Sequence, residues 1–124
     1  MAVPRITKEE LKQRLDGPAE LRPVVIDARL KYPYEHSTVR LPGAMRMMPG
    51  ALDPSQLSRD REIVVYDSDP EELVSAGVAA ELNRQGFRAA ALIGGIGDWM
   101  AGKLPVETKS APQPAPIAAG SLKA

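Results

Sequence analysis

The residues whose types and spacing could do chemistry are concentrated after one apolar run. In EIVVYDSDPEEL, residues 62–73, the acids Asp67, Asp69, Glu71 and Glu72 follow a short stretch of strand formers. Where a strand feeds a helix, backbone N–H groups and the positive end of the helix dipole point outward together. Such a loop can cradle an anion, but carboxylates there compete with one that arrives. Three chemistries are open. Asp69, Glu71 and Glu72 can cap and stabilise the helix that follows. The loop can dock a cation or a basic partner, since hard cations favour clustered carboxylates. An aspartate can also act as a covalent nucleophile.

The third chemistry has a motif to test it. VVYDSD resembles the nucleophile motif of haloacid-dehalogenase-like phosphotransferases, with acids at i and i+2. That motif needs threonine or serine two places after the second acid, and Glu71 stands there. The later lysine and paired acids that go with Mg²⁺ are not evident. Other signals are weaker still. Gly94 and Gly95 open GGIG, which is neither GxGxxG nor followed by a Walker lysine, so a tight turn packing Trp99 is expected. His36 is the only histidine and there is no cysteine, so no metal site and no cofactor are expected. His36 reads as a loop surface residue. Ser75 has no histidine near it in sequence and reads as a capping or packing hydroxyl. Arg29 stands two residues from Asp27, where an ion pair would pin the adjoining loop; Tyr32 and Tyr34 would pack that loop over the sheet edge. Arg40, Arg46, Arg59 and Arg61 are scattered without interleaved aromatics.

The elements that must hold these residues can be read from the pattern. ITKEELKQRL is a helix with a capping box, Thr7 with Glu10, and Ile6 placed to staple against Leu11. Gly17-Pro18 ends it, and residues 1–5 read as a loose arm. VVID is a buried strand that delivers Asp27 to its carboxyl end. Residues 30–43 read as a long loop interrupted by Pro33 and Pro42. A short strand follows in AMRMM, then a helical turn capped by Asp53 with Pro54 first. EIVVY is the clearest strand. A helix is expected from about Pro70 to Gln85, with Leu73, Gly77, Val78, Ala80 and Leu82 on its apolar face and Gly86 as its left-handed C-cap. AAALI is a further strand, and a short helix near 98–101 follows the glycines.

Strand, helix, strand at this spacing is a right-handed βαβ unit. The expectation is a small three-layer α/β domain with a mostly parallel central sheet flanked by helices, over residues 1–107. Residues 108–124, rich in proline and alanine, read as a disordered tail. A chain of 124 residues is one domain, able to bury roughly 65% of its unfolded surface. Lys plus Arg and Asp plus Glu both number 16, which gives no general pull toward nucleic acid or anionic lipid. The amino-terminal stretch lacks an apolar signal segment, and no run approaches the roughly 20 apolar residues that span a bilayer. A cytoplasmic location, no membrane and no nucleic-acid partner are expected.

Taken in order, the pieces resemble a rhodanese-like domain over roughly residues 6–107. VVIDAR is similar to that family's first core strand and its Asp-x-Arg end. VRLPGAMRMMP is similar to its Leu/Ile-Pro-Gly-Ala element. LNRQGFRAAALIGGIGDWMAGKLPVE is similar to its closing segment, with Gly86-Phe87, Gly94-Gly95, Trp99 and Leu104-Pro105-Val106 in step. The resemblance implies that EIVVYD leads into the active-site loop, where family members carry a cysteine that holds the transferred sulfur as a persulfide. Asp67 stands at that position. Asp67, Ser68, Asp69, Pro70, Glu71, Glu72, Leu73, Val74 and Ser75 then form a lengthened version of the loop, with Ser75 beginning the helix. The usual loop arginine has no counterpart, and Arg40 replaces a histidine common before the Pro-Gly element.

The chemistry points the same way. A carboxylate cannot be persulfidated and cannot attack a sulfane sulfur as a thiolate does. Asp67 also repels an anionic substrate: unit charges about 4 Å apart interact by up to ~4 kcal/mol at an effective dielectric of about 20. The resemblance therefore implies a degenerate member without a catalytic residue, a non-catalytic module that binds protein or regulates. Its acidic loop and an accessory face of Asp27, Arg29, Tyr34, His36 and Arg40 would meet a basic partner surface. The alternative is a sulfurtransferase-related protein, thiosulfate sulfurtransferase-like by family, acting weakly or with a partner-supplied thiol.

Overall fold

The computed structural model of the chain describes residues 3–69 and 71–109. The capping box forms as the sequence predicts: Thr7 Oγ1 accepts the Glu10 N–H and the Glu10 carboxylate accepts the Thr7 N–H. It starts α1, Lys8–Leu15. The residues before it are not all an arm. Arg5–Ile6 is a short strand, β1, whose Ile6 is buried in one cluster with Leu11.

Four further strands join β1 in one parallel sheet: β2 (Val24–Asp27), β4 (Met45–Arg46), β5 (Glu62–Tyr66) and β6 (Arg88–Leu92). Their spatial order is β1-β6-β5-β2-β4. The strands alternate between two apolar layers. Val25, Val64, Tyr66 and Leu92 pack with Leu11, Ile96 and Trp99 on one face. Ile26, Ile63, Val65 and Ala89 pack with Val78, Ala79 and Leu82 on the other. The first layer holds α1 and α4 (Gly95–Ala101), and the second holds α3 (Leu73–Arg84). This is the three-layer α/β architecture expected from the pattern. Among the described residues no helix is long and apolar enough to cross a membrane.

The stretch read as a loop, 30–43, carries two elements: α2 (Lys31–Glu35) and β3 (Val39–Arg40). Pro33 sits in the first turn of α2, where its missing N–H leaves no helical bond unmade. A proline therefore marks this helix start and does not exclude it. β3 pairs antiparallel with β7 (Glu107–Thr108). The ribbon carries order past the boundary drawn from composition, with the Lys109 N–H bonded to the Thr38 carbonyl. The remainder of the proposed tail, 110–124, lies outside the described residues.

The C-terminus of α3 is closed as predicted. Gly86 takes φ 93°, and its N–H and that of Phe87 return to the carbonyls of Asn83 and Leu82, the Schellman pattern. The apolar face of α3 differs from expectation. Ser75, Val78, Ala79 and Leu82 are buried, whereas Leu73 is 69% exposed and Gly77 faces out. The helix starts at Leu73, later than expected, with Ser75 turned inward in its first turn.

Leu82 is fully buried between α3 and the sheet. Leu82→Ala is expected to lower unfolding stability by about 2–5 kcal/mol, read from urea denaturation. Leu73→Ala should change it by less than about 0.5 kcal/mol.

Candidate functional site

All five strands of the main sheet run parallel, so their carboxyl ends share one edge. Ligands of open α/β sheets bind beyond that edge. Strand β5 delivers Asp67 there, and Asp67 is 1% exposed. Its Oδ1 accepts the Asp69 N–H at 3.0 Å and its Oδ2 accepts the Ser75 N–H at 2.6 Å. The inward-facing amides are thus held by the chain's own carboxylate. Burial pushes the Asp67 carboxyl above its ordinary range. The amides of Ser75 and Asp69 pull it back, and the charge of Asp69 pushes it up again.

This corrects the capping scheme expected from sequence. The side chain that caps α3 is that of Asp67, eight residues before Ser75, because the lengthened loop folds back over the strand end. Glu72, at the N-cap, takes a left-handed conformation (φ 55°) and makes no side-chain cap. Its nearly buried carboxylate accepts from Arg5 Nε at 2.8 Å and from the Gly94 N–H at 3.0 Å. It ties the loop to β1 and to the turn before α4. Asp69 Oδ1 accepts the Glu71 N–H at 2.8 Å, a local turn rather than a helix cap. Ser75 is buried, and its hydroxyl reaches the Glu72 carbonyl at 3.4 Å. Ser68 and Glu71 are exposed, Val74 is half-buried, and Pro70 lies outside the described residues. Among the described residues no three His, Asp or Glu side chains converge as a metal cage.

The two glycines gain a specific reason. Gly95 takes φ 61°, and a Cβ there would stand 2.4 Å from the Asp67 carbonyl oxygen. That oxygen accepts the Ile96 N–H at 3.0 Å, which docks the start of α4 onto the loop. At Gly94, φ 78°, a Cβ would collide with Asp98. Trp99 is buried as expected and donates its indole N–H to the Pro105 carbonyl at 2.7 Å.

The accessory residues separate into three places. Asp27 and Arg29 form a buried ion pair with Nη2–Oδ2 at 2.7 Å, and the same Nη2 donates to the Val39 carbonyl at 3.0 Å. Tyr34 lies over this pair, its ring 5.4 Å from the Arg29 guanidinium carbon and 4.0 Å from that of Arg46. Lys109 Nζ lies 3.9 Å from the same ring. Arg40 is elsewhere, buried on the β3–β7 ribbon with Nε 2.8 Å from Glu107. His36 is exposed at the C-cap of α2, its ring 3.9 Å from that of Tyr32, which points to solvent instead of packing on the sheet edge. Arg5, Arg46 and Lys109 were invisible as site residues from sequence, since each reaches the site from an element distant in the chain.

The pH dependence of Asp67 has a definite sign. A raised pKa means that the folded chain binds this proton more tightly than the unfolded chain. Asp67 therefore favours folding most below its unfolded value, near 3.8, and that contribution falls as pH rises through the folded pKa. The difference in urea stability between the natural chain and Asp67→Asn should decline as pH rises from about 3.8 through the raised pKa of the folded chain. A flat difference would refute the assignment. Asp67→Ala, which leaves two amides without this acceptor, should cost about 1–3 kcal/mol.

Known proteins share this fold. A solved protein from Lactobacillus plantarum superposes with a TM-score of 0.75 at 26% identity, over 84% of this chain and 87% of that one. A rhodanese-like domain protein from Staphylococcus aureus gives 0.64 at 22% identity, over 77% and 90%. A thiosulfate sulfurtransferase from Pseudomonas aeruginosa gives 0.66 at 23% identity, over 85% of this chain but 19% of that longer one. No curated protein sequence matches. The rhodanese-like domain profile matches residues 7–102. The chain belongs to the rhodanese-like domain family.

Proposed function

We propose that the chain is a non-catalytic rhodanese-like module whose strand-end loop binds protein instead of transferring sulfur. One observation carries the reading. The position that the family resemblance assigns to the sulfur-carrying cysteine is Asp67, and its carboxylate takes up the loop amides of Asp69 and Ser75 itself. A persulfide needs a thiol, and the chain contains no cysteine. An anionic substrate needs free donors, and here it would meet Asp67 with Asp69 and Glu71 beside it.

The same acids suit a basic partner surface. Neither Asp69 nor Glu71 pairs with a lysine or arginine among the described residues. Charge at the rim of such a face steers association and selects partners. A cytoplasmic setting is part of this proposal and rests on the sequence reading alone. The second reading, a sulfurtransferase-related protein acting with a partner's thiol, is favoured by the likeness of fold to the thiosulfate sulfurtransferase.

Incubation of the purified chain with thiosulfate and cyanide separates the two classes. Thiocyanate is expected at the rate of a protein-free control. Turnover above that control, by the chain alone, would remove the module reading. Turnover only after a cysteine-bearing protein is added would favour the second.

A further inference from the structure

The carboxyl edge of the sheet carries more than acids. Six large apolar side chains are exposed among the described residues, and Leu30, Tyr32, Met48 and Leu73 are four of them. Each follows the carboxyl end of a parallel strand: Leu73 after β5, Leu30 and Tyr32 after β2, Met48 after β4. Backbone pairing continues past those ends, with the Ala28 N–H on the Tyr66 carbonyl at 2.9 Å and the Met47 N–H on the Asp27 carbonyl at 3.1 Å. The three connections therefore leave the sheet side by side, at a strand spacing of about 4.8 Å. Exposed apolar residues gathered on one face mark an interaction surface.

The charges on this face are sorted along the strand order. Over β5 lie Asp69 and Glu71, without a cationic partner among the described residues, above the buried Asp67. Over β2 and β4 lie Lys31, exposed at the start of α2, and Lys109 and Arg46 around Tyr34. Neither Lys31 nor Lys109 pairs with a carboxylate among the described residues. Arg46 stands 3.7 Å from Asp27, and Glu35 at the end of α2 offsets part of the positive charge. The face is thus acidic over β5 and basic over β2 and β4, with exposed apolar side chains over all three.

Such a face is its own complement. Turned by a two-fold axis set between β5 and β2, the acids of one copy meet the lysines of the other, twice. Isologous contacts require this self-complementarity. A wholly basic partner would satisfy only the β5 side, and an anionic membrane would be repelled by it. We infer that the occupant of this face is a second copy of the chain, with Leu30, Tyr32, Met48 and Leu73 in the contact and Asp69 and Glu71 set against Lys31 and Lys109. The inference rests on the protein-binding reading of the loop and names its partner. Four apolar side chains make a small contact, less than the roughly 800 Å² per partner of a stable complex. The association is therefore weak and concentration-dependent.

Sedimentation of the natural chain from about 10 μM to about 1 mM in low salt should show a monomer–dimer equilibrium. Adding about 0.5 M salt should weaken it. Asp69→Lys with Glu71→Lys makes the face basic on both sides, and Lys31→Glu with Lys109→Glu makes it acidic on both. Each double variant alone should dimerise at least about tenfold more weakly. Their equimolar mixture should associate again, since each contact is now attractive. Circular dichroism establishes that both variants are folded. A chain monomeric at every concentration, a dimer unmoved by either double variant, or a mixture that fails to associate would overturn the proposal. Those outcomes leave the thiosulfate result untouched, so failure here is distinguishable from failure of the non-catalytic reading.

Discussion

The carboxyl edge of this domain depends on one buried acceptor. Asp67 stands where β5 ends, α3 begins and α4 approaches, and all three are tied to it. Its two carboxylate oxygens hold the amides of Asp69 and Ser75, while its backbone carbonyl holds that of Ile96. Buried amides must find partners, and this loop turns two of them toward a point that solvent hardly reaches. A carboxylate can accept several donors at once, so one side chain closes the arrangement. The same group is costly to bury charged, and its raised pKa records that cost.

The neighbours follow from that closure. With Ser75 drawn inward, the first turn of α3 is fixed in rotation, and Leu73 is turned to solvent. Glu72 is pushed into a left-handed conformation, which costs of order 1–3 kcal/mol for a residue other than glycine. Its carboxylate then reaches Arg5 and the Gly94 amide. Arg5 is half-exposed, so the ion pair itself contributes modestly. Its larger effect is geometric. It anchors the edge strand β1 and the glycine turn to one loop residue. Gly95 completes the set, because only a residue without Cβ lets α4 come within hydrogen-bonding range of the Asp67 carbonyl.

How much of this was legible follows from which forces are local. The capping box, the Schellman turn at Gly86 and the alternation in EIVVY depend on residues a few places apart, and the sequence displays them openly. The pairing of Asp27 with Arg29 is similarly local. What stayed hidden joins distant segments. Arg5 looked like part of an arm because its strand is two residues long and gains its meaning from β6. Helix α2 was obscured because Pro33 reads as a breaker until its place in the first turn is known. Acids near a helix start look interchangeable by sequence, yet only the fold-back of the loop decides that Asp67 caps while Glu72 bridges. The family resemblance singled out Asp67, but it was silent on what that carboxylate would hold.

The separation between scaffold and site is physical as well. The Asp27–Arg29 pair, the Trp99 indole bond and the two apolar layers involve no atom of the 67–75 loop. A buried ion pair is a weak source of net stability, since desolvation offsets its attraction. This one does further work as a brace: Arg29 also fixes the Val39 carbonyl, and Arg46 donates to the Asp27 carbonyl at 3.1 Å. The connections that leave β2, β4 and β3 are thereby held together with Tyr34 over them. Chemistry at the mouth of β5 can change from thiol to carboxylate without unsettling that brace. The loop's amides need an acceptor, and either charged group can serve, but only the thiolate can also take a sulfur atom. In this chain the requirement of the fold is met by the Asp67 carboxylate.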